Sequence, residues 1–553
     1  MWFSPWRRIL RGRSGDAKPS GLRAGTKFVE EDTGVEYTYD PVMKDRKKRV
    51  EPYSAIVCKD GSTVWAEDSD GKTIASGESG VDDASVIQKA EDNANGYVYI
   101  LEGEYIINYP ILIKQYTFGA GIDRTVLKLG DGVQKNVVEI DDYSGLMDVT
   151  IDGNYLNNLQ NEDTWANVND VPMAHGIAVF KYYHTEEVFV RVSHVRISNV
   201  KVINTVRSNI AINADECSID NIVLQNSYTD HNLYLSNANK NIVKNLFISG
   251  MADAECIVIG TDDNTTANYN SIENVYIKDL QSGKWQYPKI PIAFRPLAGT
   301  NNTVKEVWIF DDSTNNVRIY IAQQNAKLKG VHAILSGSGK DCAILIGGLQ
   351  SGQYAENIIV TDIHIYVDTT DFTEAFHGIK MQGGKKIIIT DYEIHETGGT
   401  VSRAFAIDSY NEAIQNVLIN NVIADIYGSC IFRIKQDTNS IEGLKIGKYI
   451  NVNNITKFLI DGSPTFYENS DVATFSGDGS TTDFEIGAHG LVITDPSKIA
   501  VKVTPASSDA IAASPCVGYV DPADNTKIRV KFSSAPASGD NNVQIVWRAE
   551  VIS

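Results

Sequence analysis

Apolar residues recur along this chain two apart, in short bursts separated by polar, asparagine-rich turns. From residue 230 it runs Asp230-His231-Asn232-Leu233-Tyr234-Leu235, turns, and continues Ile242-Val243-Lys244-Asn245-Leu246-Phe247-Ile248; Glu255-Cys256-Ile257-Val258-Ile259 then begins the phrase again. Alternation at period two predicts half-buried β-strands. The residue two before the first inward apolar forms a column: His175, Ser208, His231, Glu255, Ile290, Val317, Cys342, His377, Arg403 and Cys430. Its members lie about 23 to 35 residues apart, a spacing typical of repeat architectures. The inward pairs are Ile210/Ile212, Leu233/Leu235, Ile257/Ile259, Ile292/Phe294, Ile319/Ile321, Ile344/Ile346, Ile379/Met381, Phe405/Ile407 and Phe432/Ile434. One such unit cannot bury its apolar face alone, so the units must stack. The pattern predicts a solenoid of parallel strands, with short intervals as bare rungs and longer ones as rungs carrying a loop.

Two stretches precede the rungs. Asp82-Asp83-Ala84-Ser85-Val86-Ile87-Gln88-Lys89-Ala90 predicts a short helix, N-capped by Asp82 or Asp83, with Val86, Ile87 and Ala90 on one face. Gly96-Tyr97-Val98-Tyr99-Ile100-Leu101-Glu102-Gly103-Glu104-Tyr105 predicts the first strand. With Val149-Thr150-Ile151-Asp152-Gly153-Asn154, these stretches and the rungs resemble the pectate-lyase-like right-handed parallel β-helix superfamily, over roughly residues 81–465. The resemblance implies a helix capping the open end of an all-β solenoid. It implies no single chemistry, because that superfamily holds lyases, hydrolases, epimerases and non-catalytic adhesins.

Around the solenoid the pattern predicts three further parts. Residues 1–50 hold a strand, a turn at Asp32-Thr33-Gly34 and a second strand, followed by Lys44-Asp45-Arg46-Lys47-Lys48-Arg49, read as a solvated charged linker. The hairpin resembles one found near the start of viral tail and fibre proteins, which implies anchoring to a particle. Residues 51–80 form a connector of short strands around Gly61 and Gly71. Residues 470–553 alternate apolar and polar in a composition rich in Ser, Thr, Ala, Asp and Pro, predicting an antiparallel β-sandwich. Its opening, Phe475 to Thr482, resembles C-terminal viral-fibre modules, which implies trimerisation or sugar binding. Loops are predicted at Asn157 to Asp170, Tyr182 to Val190, Gln281 to Pro288 and Thr369 to Phe376. The three-part order resembles viral tailspikes, and so implies a homotrimer on a virion tail or baseplate that recognises host surface polysaccharide.

Composition narrows the partners. A net charge of −20 opposes nucleic-acid binding, which needs a basic face. No apolar run is long enough to span a membrane, and the first residues carry arginines and tryptophans without a secretory apolar core, so export by another route or release inside a particle is expected. Six cysteines without a CxxC pair are expected as buried, reduced thiols. No metal or cofactor is expected.

Stacked rungs lie about 4.8 Å apart, which makes residues of one column neighbours. His231 and Glu255 are such a pair, with Asp230 and Asp253 beside them; an imidazole against carboxylates serves general acid–base cleavage of a polysaccharide, and the same residues also serve as turn caps. Past the strands, Asp215, Ala238 and Asp262 are expected in one column. Asp215 and Asp262 would be roughly 9–10 Å apart, near the about 6.5–9.5 Å of inverting glycosidases; Asp is also common in turns. Outward positions hold Tyr234, Arg295, Arg318, Tyr320, Lys380 and Arg433, a strip that reads either as a platform for acidic sugars or as an ordinary solvated face. Arg433-Ile434-Lys435 resembles a polygalacturonase triplet, but the acidic partners of that family are missing, so its catalysis is not carried over. The reading is a polysaccharide-binding tailspike that also cleaves. The alternatives are a silent trimeric fibre and a cellular secreted lyase.

Overall fold

The computed structural model describes residues 53–551 apart from short stretches (167–169, 184–187, 254, 261–266, 285–289, 296–298, 312–318, 337–340, 348–354, 371, 373–374, 399–402, 411, 429, 437–438, 454, 456–457, 462–465 and 492–494), and the backbone of four strands before residue 53. The chain is a right-handed parallel β-helix with antiparallel additions at both ends. One sheet of 13 short parallel strands contains every rung in sequence order. Its register is the one the alternation predicts: Ile210 pairs with Leu233, Leu233 with Ile257, Ile257 with Ile292, Ile319 with Ile344, Ile344 with Ile379, Ile379 with Phe405 and Phe405 with Phe432. All nine inward pairs are buried and form the continuous core. A one-residue slip would turn each pair to the outside, so burial fixes the register.

The second sheet contributes one long strand per rung, among them Arg196–Thr205, Ser218–Ser227, Ile242–Ala252, Ser271–Ser282 and Thr303–Asp311. Each of these bends at a residue in the left-handed region: Asn199, Asn221, Asn245, Asn274 and Glu306, with φ between 53° and 58°. Asn tolerates this region better than other residues with a Cβ, so the asparagine-rich turns make the solenoid's corners. Inside, asparagines stack from rung to rung. Asn241 Nδ2 donates to Asn270 Oδ1 at 3.0 Å, Asn270 Nδ2 to Asn302 Oδ1 at 3.0 Å, and Asn302 Nδ2 to Gln323 Oε1 at 2.8 Å. Each side chain also meets backbone, as where Asn270 Oδ1 accepts from Asn241 N at 3.0 Å and Asn270 Nδ2 donates to Ala238 O at 2.8 Å. Outside the second sheet, rings stack likewise: Phe247 on Tyr276, and Trp308 on His332 on His364.

The helix Asp83–Asn93 covers the first rung and buries Val86, Ile87 and Ala90. Neither aspartate caps it through its side chain. Asp82 accepts from Glu78 N, while Asp83 receives Gly80 N, Ile106 N and the Lys59 ammonium. Asp83 thus fastens the helix to the sheet end. Glu91 does the same on the helix's next turns, accepting from Lys114 N, Gln115 N and Thr117 Oγ1. Burial outweighs those donors and pushes its carboxyl up to about 7.

The strands Lys27–Glu30 and Glu36–Asp40 pair antiparallel, as the predicted hairpin requires; its turn lies outside the described residues. The charged stretch read as a linker is instead a strand, Asp45–Lys48, paired with Glu36–Asp40. Backbone pairing decides this, and a run of charges leaves it available. Residues Ala55–Asp60, Thr63–Asp68 and Thr73–Glu78 form a meander with turns at Gly61 and Gly71. The expected loop Tyr182 to Val190 contains a hairpin of Lys181–Tyr183 against Val188–Val190.

At the other end, Phe466–Gly477 pairs parallel with Ile441–Ile446 of the solenoid and antiparallel with Gly539–Val551. Ile499–Pro505 extends that sheet, and Asp483–Ala488, Lys527–Phe532 and Cys516–Val520 make a second, the two closing over Val530, Phe532, Val543 and Ile545. This is the antiparallel sandwich. All six cysteines are free thiols and five are buried.

Asn270→Ala should leave the buried Asn241 N–H unpaired, at about 1–3 kcal/mol, while the Ala238 carbonyl keeps its bond from Asn268 N. Hydrogen exchange is then expected to quicken in the rungs on either side while the sandwich is unaffected. Equal exchange throughout would mean that the ladder carries no stability.

Candidate functional site

The turn before each short strand faces the flank of the solenoid, and consecutive turns lie one rung apart. This brings Asp230 and His231 against Glu255, with Asp253 N donating to Asp230 O at 3.0 Å. His231 Nε2 lies 3.0 Å from Asp230 Oδ1, and Nδ1 lies 3.0 Å from the Glu255 carbonyl and 3.5 Å from Glu255 Oε2. Both ring nitrogens therefore meet acceptors, an arrangement that suits the doubly protonated imidazolium. Arg207 Nε reaches Asp230 Oδ2 at 3.4 Å, where Ser208 Oγ also donates at 2.8 Å, and Arg295 pairs with Glu255 Oε1. The result is a chain of alternating charges from Arg207 through Asp230, His231 and Glu255 to Arg295.

The cluster is nearly enclosed. The side chains of Asp230 and Glu255 are 7% and 4% exposed, His231 14%, Arg207 17% and Arg295 26%, so the imidazole and the two guanidinium groups offer its contact with solvent. Burial alone would lower the His231 pKa, but Asp230 and Glu255 outweigh it and hold it above its ordinary value. Burial would likewise raise Asp230; His231, Arg207 and His175 hold it well below the usual carboxylate range. His175, one turn away and buried, is pushed down to about 3 by burial and by the nearby Arg207. Glu255 Oε2 is buried and accepts no hydrogen bond among the described residues. Nδ1 of His231 thus faces a carboxylate oxygen with spare capacity.

The remaining predicted residues divide. Tyr234 joins the cluster, its ring 5.1 Å from that of His231. Arg295 joins it through Glu255 rather than extending an open strip. Asp215 lies elsewhere, paired with Arg191 and accepting from Asn239 N at 2.9 Å and Asn239 Nδ2 at 3.0 Å. Its column neighbour is Asn239, not Ala238, and the next is Asn268, so it heads a ladder of turn-forming amides. Asp262 and Arg318 lie outside the described residues. Tyr320 is 3% exposed, packed with Val258, Ala293 and Leu345 on the outer face of the sheet, and so is no solvent-facing platform. Lys380 is half-buried, with Asp341 Oδ2 at 2.9 Å, and Arg433 follows two rungs further in the same column. The intervening Leu345 and Ala406 are buried, so Tyr234, Tyr320, Lys380 and Arg433 make no continuous surface. Arg295 and Lys380 each face a carboxylate, which removes much of the attraction for acidic sugars.

Sequence reasoning missed Arg207 and gave Ser208, already in the His231 column, no role. A cation beside that column was the available signal. Among the described residues no group of three or more His, Cys, Asp or Glu side chains is arranged to hold a metal ion, and no helix is long and apolar enough to cross a membrane.

No protein-family model matches the chain, and no curated protein does. Solved structures similar to it include the A-module of a mannuronan C-5 epimerase of Azotobacter vinelandii, with 17% identity over 70% of this chain and 97% of that one and a TM-score of 0.42. A mutant tailspike protein of Escherichia coli bacteriophage HK620 is 11% identical over 88% of this chain and 92% of that one, with a TM-score of 0.42. A protein of Geobacillus virus E2, ORF18, is 12% identical over 97% of this chain and 91% of that one, with a TM-score of 0.38. At such identities and scores the likenesses assign no chemistry.

The charge chain sets a pH window. His231, with its raised pKa, contributes stability in full below its unfolded value of about 6.5, and loses it as pH rises through the folded value. Asp230, with its lowered pKa, contributes above about 3.9 and loses that as pH falls through its folded value. The pair is thus complete between about pH 4 and 6.5. In histidine-labelled protein, the His231 resonance should titrate above 6.5 and His175 should stay neutral at pH 5, and Asp230→Asn should bring the His231 midpoint down. A His231 midpoint at or below 6.5 would show that the ion pair does not form.

Proposed function

We propose that this chain is a tailspike-like protein, a homotrimer held to a virion tail or baseplate by its N-terminal residues. It binds host cell-surface polysaccharide on the flank of its β-helix and cleaves it at the His231 cluster. The observation supporting cleavage is His231, with both ring nitrogens at acceptors, beside Glu255 Oε2, which accepts no hydrogen bond from a described residue. In this reading His231 gives its proton to the glycosidic oxygen as the C–O bond breaks. Glu255 takes up a proton, from attacking water in hydrolysis or from the sugar ring in elimination, so the site ends with the charge it began with. Asp230, with Arg207 behind it, holds the imidazolium in place. Tyr234 lies where a sugar ring would meet the cluster.

A second reading, a receptor-binding fibre without cleavage, is supported by the same geometry. Both His231 nitrogens already meet acceptors, so proton transfer requires the ring to leave Asp230 or the Glu255 carbonyl. The two readings share the ligand and differ in the fate of the polymer.

Purified envelope polysaccharide from candidate host cells, digested and sized by chromatography, distinguishes them. Wild type should shorten the polymer and release reducing ends, and the double variant His231→Ala/Glu255→Ala should leave it intact, a rate loss of about 10²-fold or more. Absorbance near 235 nm would mark unsaturated products and elimination. Intact polymer co-eluting with wild type establishes the fibre; shortening by both proteins removes the cluster from the chemistry.

A further inference from the structure

The segment from Asn154 to His175 folds over the turns of the following rungs with its own small core of Trp165, Val171, Ala174 and Val206. Where it meets the solenoid, Glu162 faces Tyr228 and Lys284, residues far apart in sequence. Tyr228 Oη donates to Glu162 Oε1; Lys284 Nζ lies 3.2 Å from the same oxygen and 2.9 Å from the Glu162 carbonyl. The ring of Tyr155 stacks on that of Tyr228 at 5.3 Å, and Lys284 Nζ lies 5.5 Å from the centre of the Trp165 ring. Every hydrogen bond the Glu162 carboxylate accepts from a described residue falls on Oε1. Its side chain is 26% exposed, so Oε2 is left to solvent. Tyr228 and Lys284 therefore hold one edge of a carboxylate in place and leave the other to solvent, beside the Tyr155–Tyr228 stack.

Tyr228, which donates to this carboxylate, belongs to the same turn as the cluster described above. Tyr228 stands two residues before Asp230, at most about 7 Å along the backbone, and Lys284 N donates to Tyr228 O at 2.8 Å. A fixed acceptor edge beside stacked tyrosine rings is the chemistry that recognises vicinal hydroxyls on a sugar ring. Glu162 and Lys284 cancel in charge, and the outward edge is the negative one, so a uronate is disfavoured.

We propose that Glu162, positioned by Tyr228 and Lys284, forms a subsite for a neutral sugar residue, its outward carboxylate edge accepting the sugar's hydroxyls. The subsite rests on the polysaccharide-binding reading and names its substrate class: a glycan with an uncharged residue adjoining the His231 cluster. It also gives the segment from Asn154 to His175 a function, the delivery of one acceptor to the flank of the solenoid. Glu162 acts here in binding, and its loss weakens affinity before it slows any step.

The test uses the full chain and saturation-transfer NMR with methyl glycosides of glucose, galactose, mannose, rhamnose and N-acetylglucosamine, beside methyl glucuronide. At least one neutral glycoside should bind wild type, with the glucuronide weaker. Glu162→Gln should weaken that binding roughly tenfold or more, the scale of a hydrogen bond to a charged group. Tryptophan fluorescence reports whether the segment around Trp165 stays folded in the variant. Should it not, Tyr228→Phe, which keeps the ring stack and Lys284, carries the test, with a severalfold loss expected. Unchanged binding in Tyr228→Phe and a folded Glu162→Gln, a preference for the glucuronide, or no glycoside bound by wild type would each overturn the subsite. The readout does not depend on cleavage. Polymer left whole by a protein that binds glycosides through Glu162 overturns only the catalytic role of His231.

Discussion

The structure depends on one constraint, that successive rungs must stack in a single register. Each rung's backbone donors and acceptors are satisfied by the rungs above and below, and no rung buries its apolar pair without them. Inward pairs such as Leu233/Leu235 and Ile257/Ile259 make a slip costly. The corner residues set where each strand must bend, and the Asn241–Asn270–Asn302 ladder pairs polar groups that the turns would otherwise bury unmet. Apolar pattern and amide ladder enforce the same register by different means, one by exclusion of water and the other by complete pairing.

The ionic cluster follows from that register. Asp230, His231 and Glu255 come together because two turns one rung apart carry them: Asp230 and His231 pair within one turn, and Glu255 on the next meets the other side of the imidazole. Buried charges are tolerated only where each meets its opposite. The line from Arg207 to Arg295 meets this requirement, with Glu255 Oε2 left over as an acceptor among the described residues. His175, buried nearby without a carboxylate of its own to hold a proton, shows the other outcome for a histidine, neutrality.

Most of the fold was legible because strand alternation and rung spacing are local signals that repeat. The nine inward pairs, the helix before the first rung and the closing sandwich all follow from period-two or period-3.6 patterns. The site was legible to the extent that it obeys the same repeat. His231 and Glu255 share a column, and the structure brings them together; Arg295 and Arg207 enter by side-chain reach, which no column records. Tyr320 looked exposed because its position alternates outward, but the outer face of that sheet is covered, and alternation tells inside from outside without telling outside from solvent. Asp215 against Asn239 rather than Ala238 shows the precision limit at turns, where one residue more or less changes the partner. Glu162 and Lys284 were beyond sequence reasoning because both lie off the repeat, in loops inserted between strands.

The strand Phe466–Gly477 belongs at once to the solenoid's long sheet and to the sandwich, while the helix Asp83–Asn93 and its meander close the opposite end. A parallel β-helix with bare ends is an open-ended polymerisation template, since any further strand can add to its last rung. Here one terminus is occupied by a covering helix and the other by a strand already committed to a second fold. The 13 strands of the short sheet thus define a rod of fixed extent, roughly 58 Å at the usual rung spacing. The sandwich cannot be excised as a separate bead without reopening the edge it seals. Mechanically the two units form one beam, in which a pull on the C-terminal sheet is borne by the backbone bonds of the last rung rather than by a hinge.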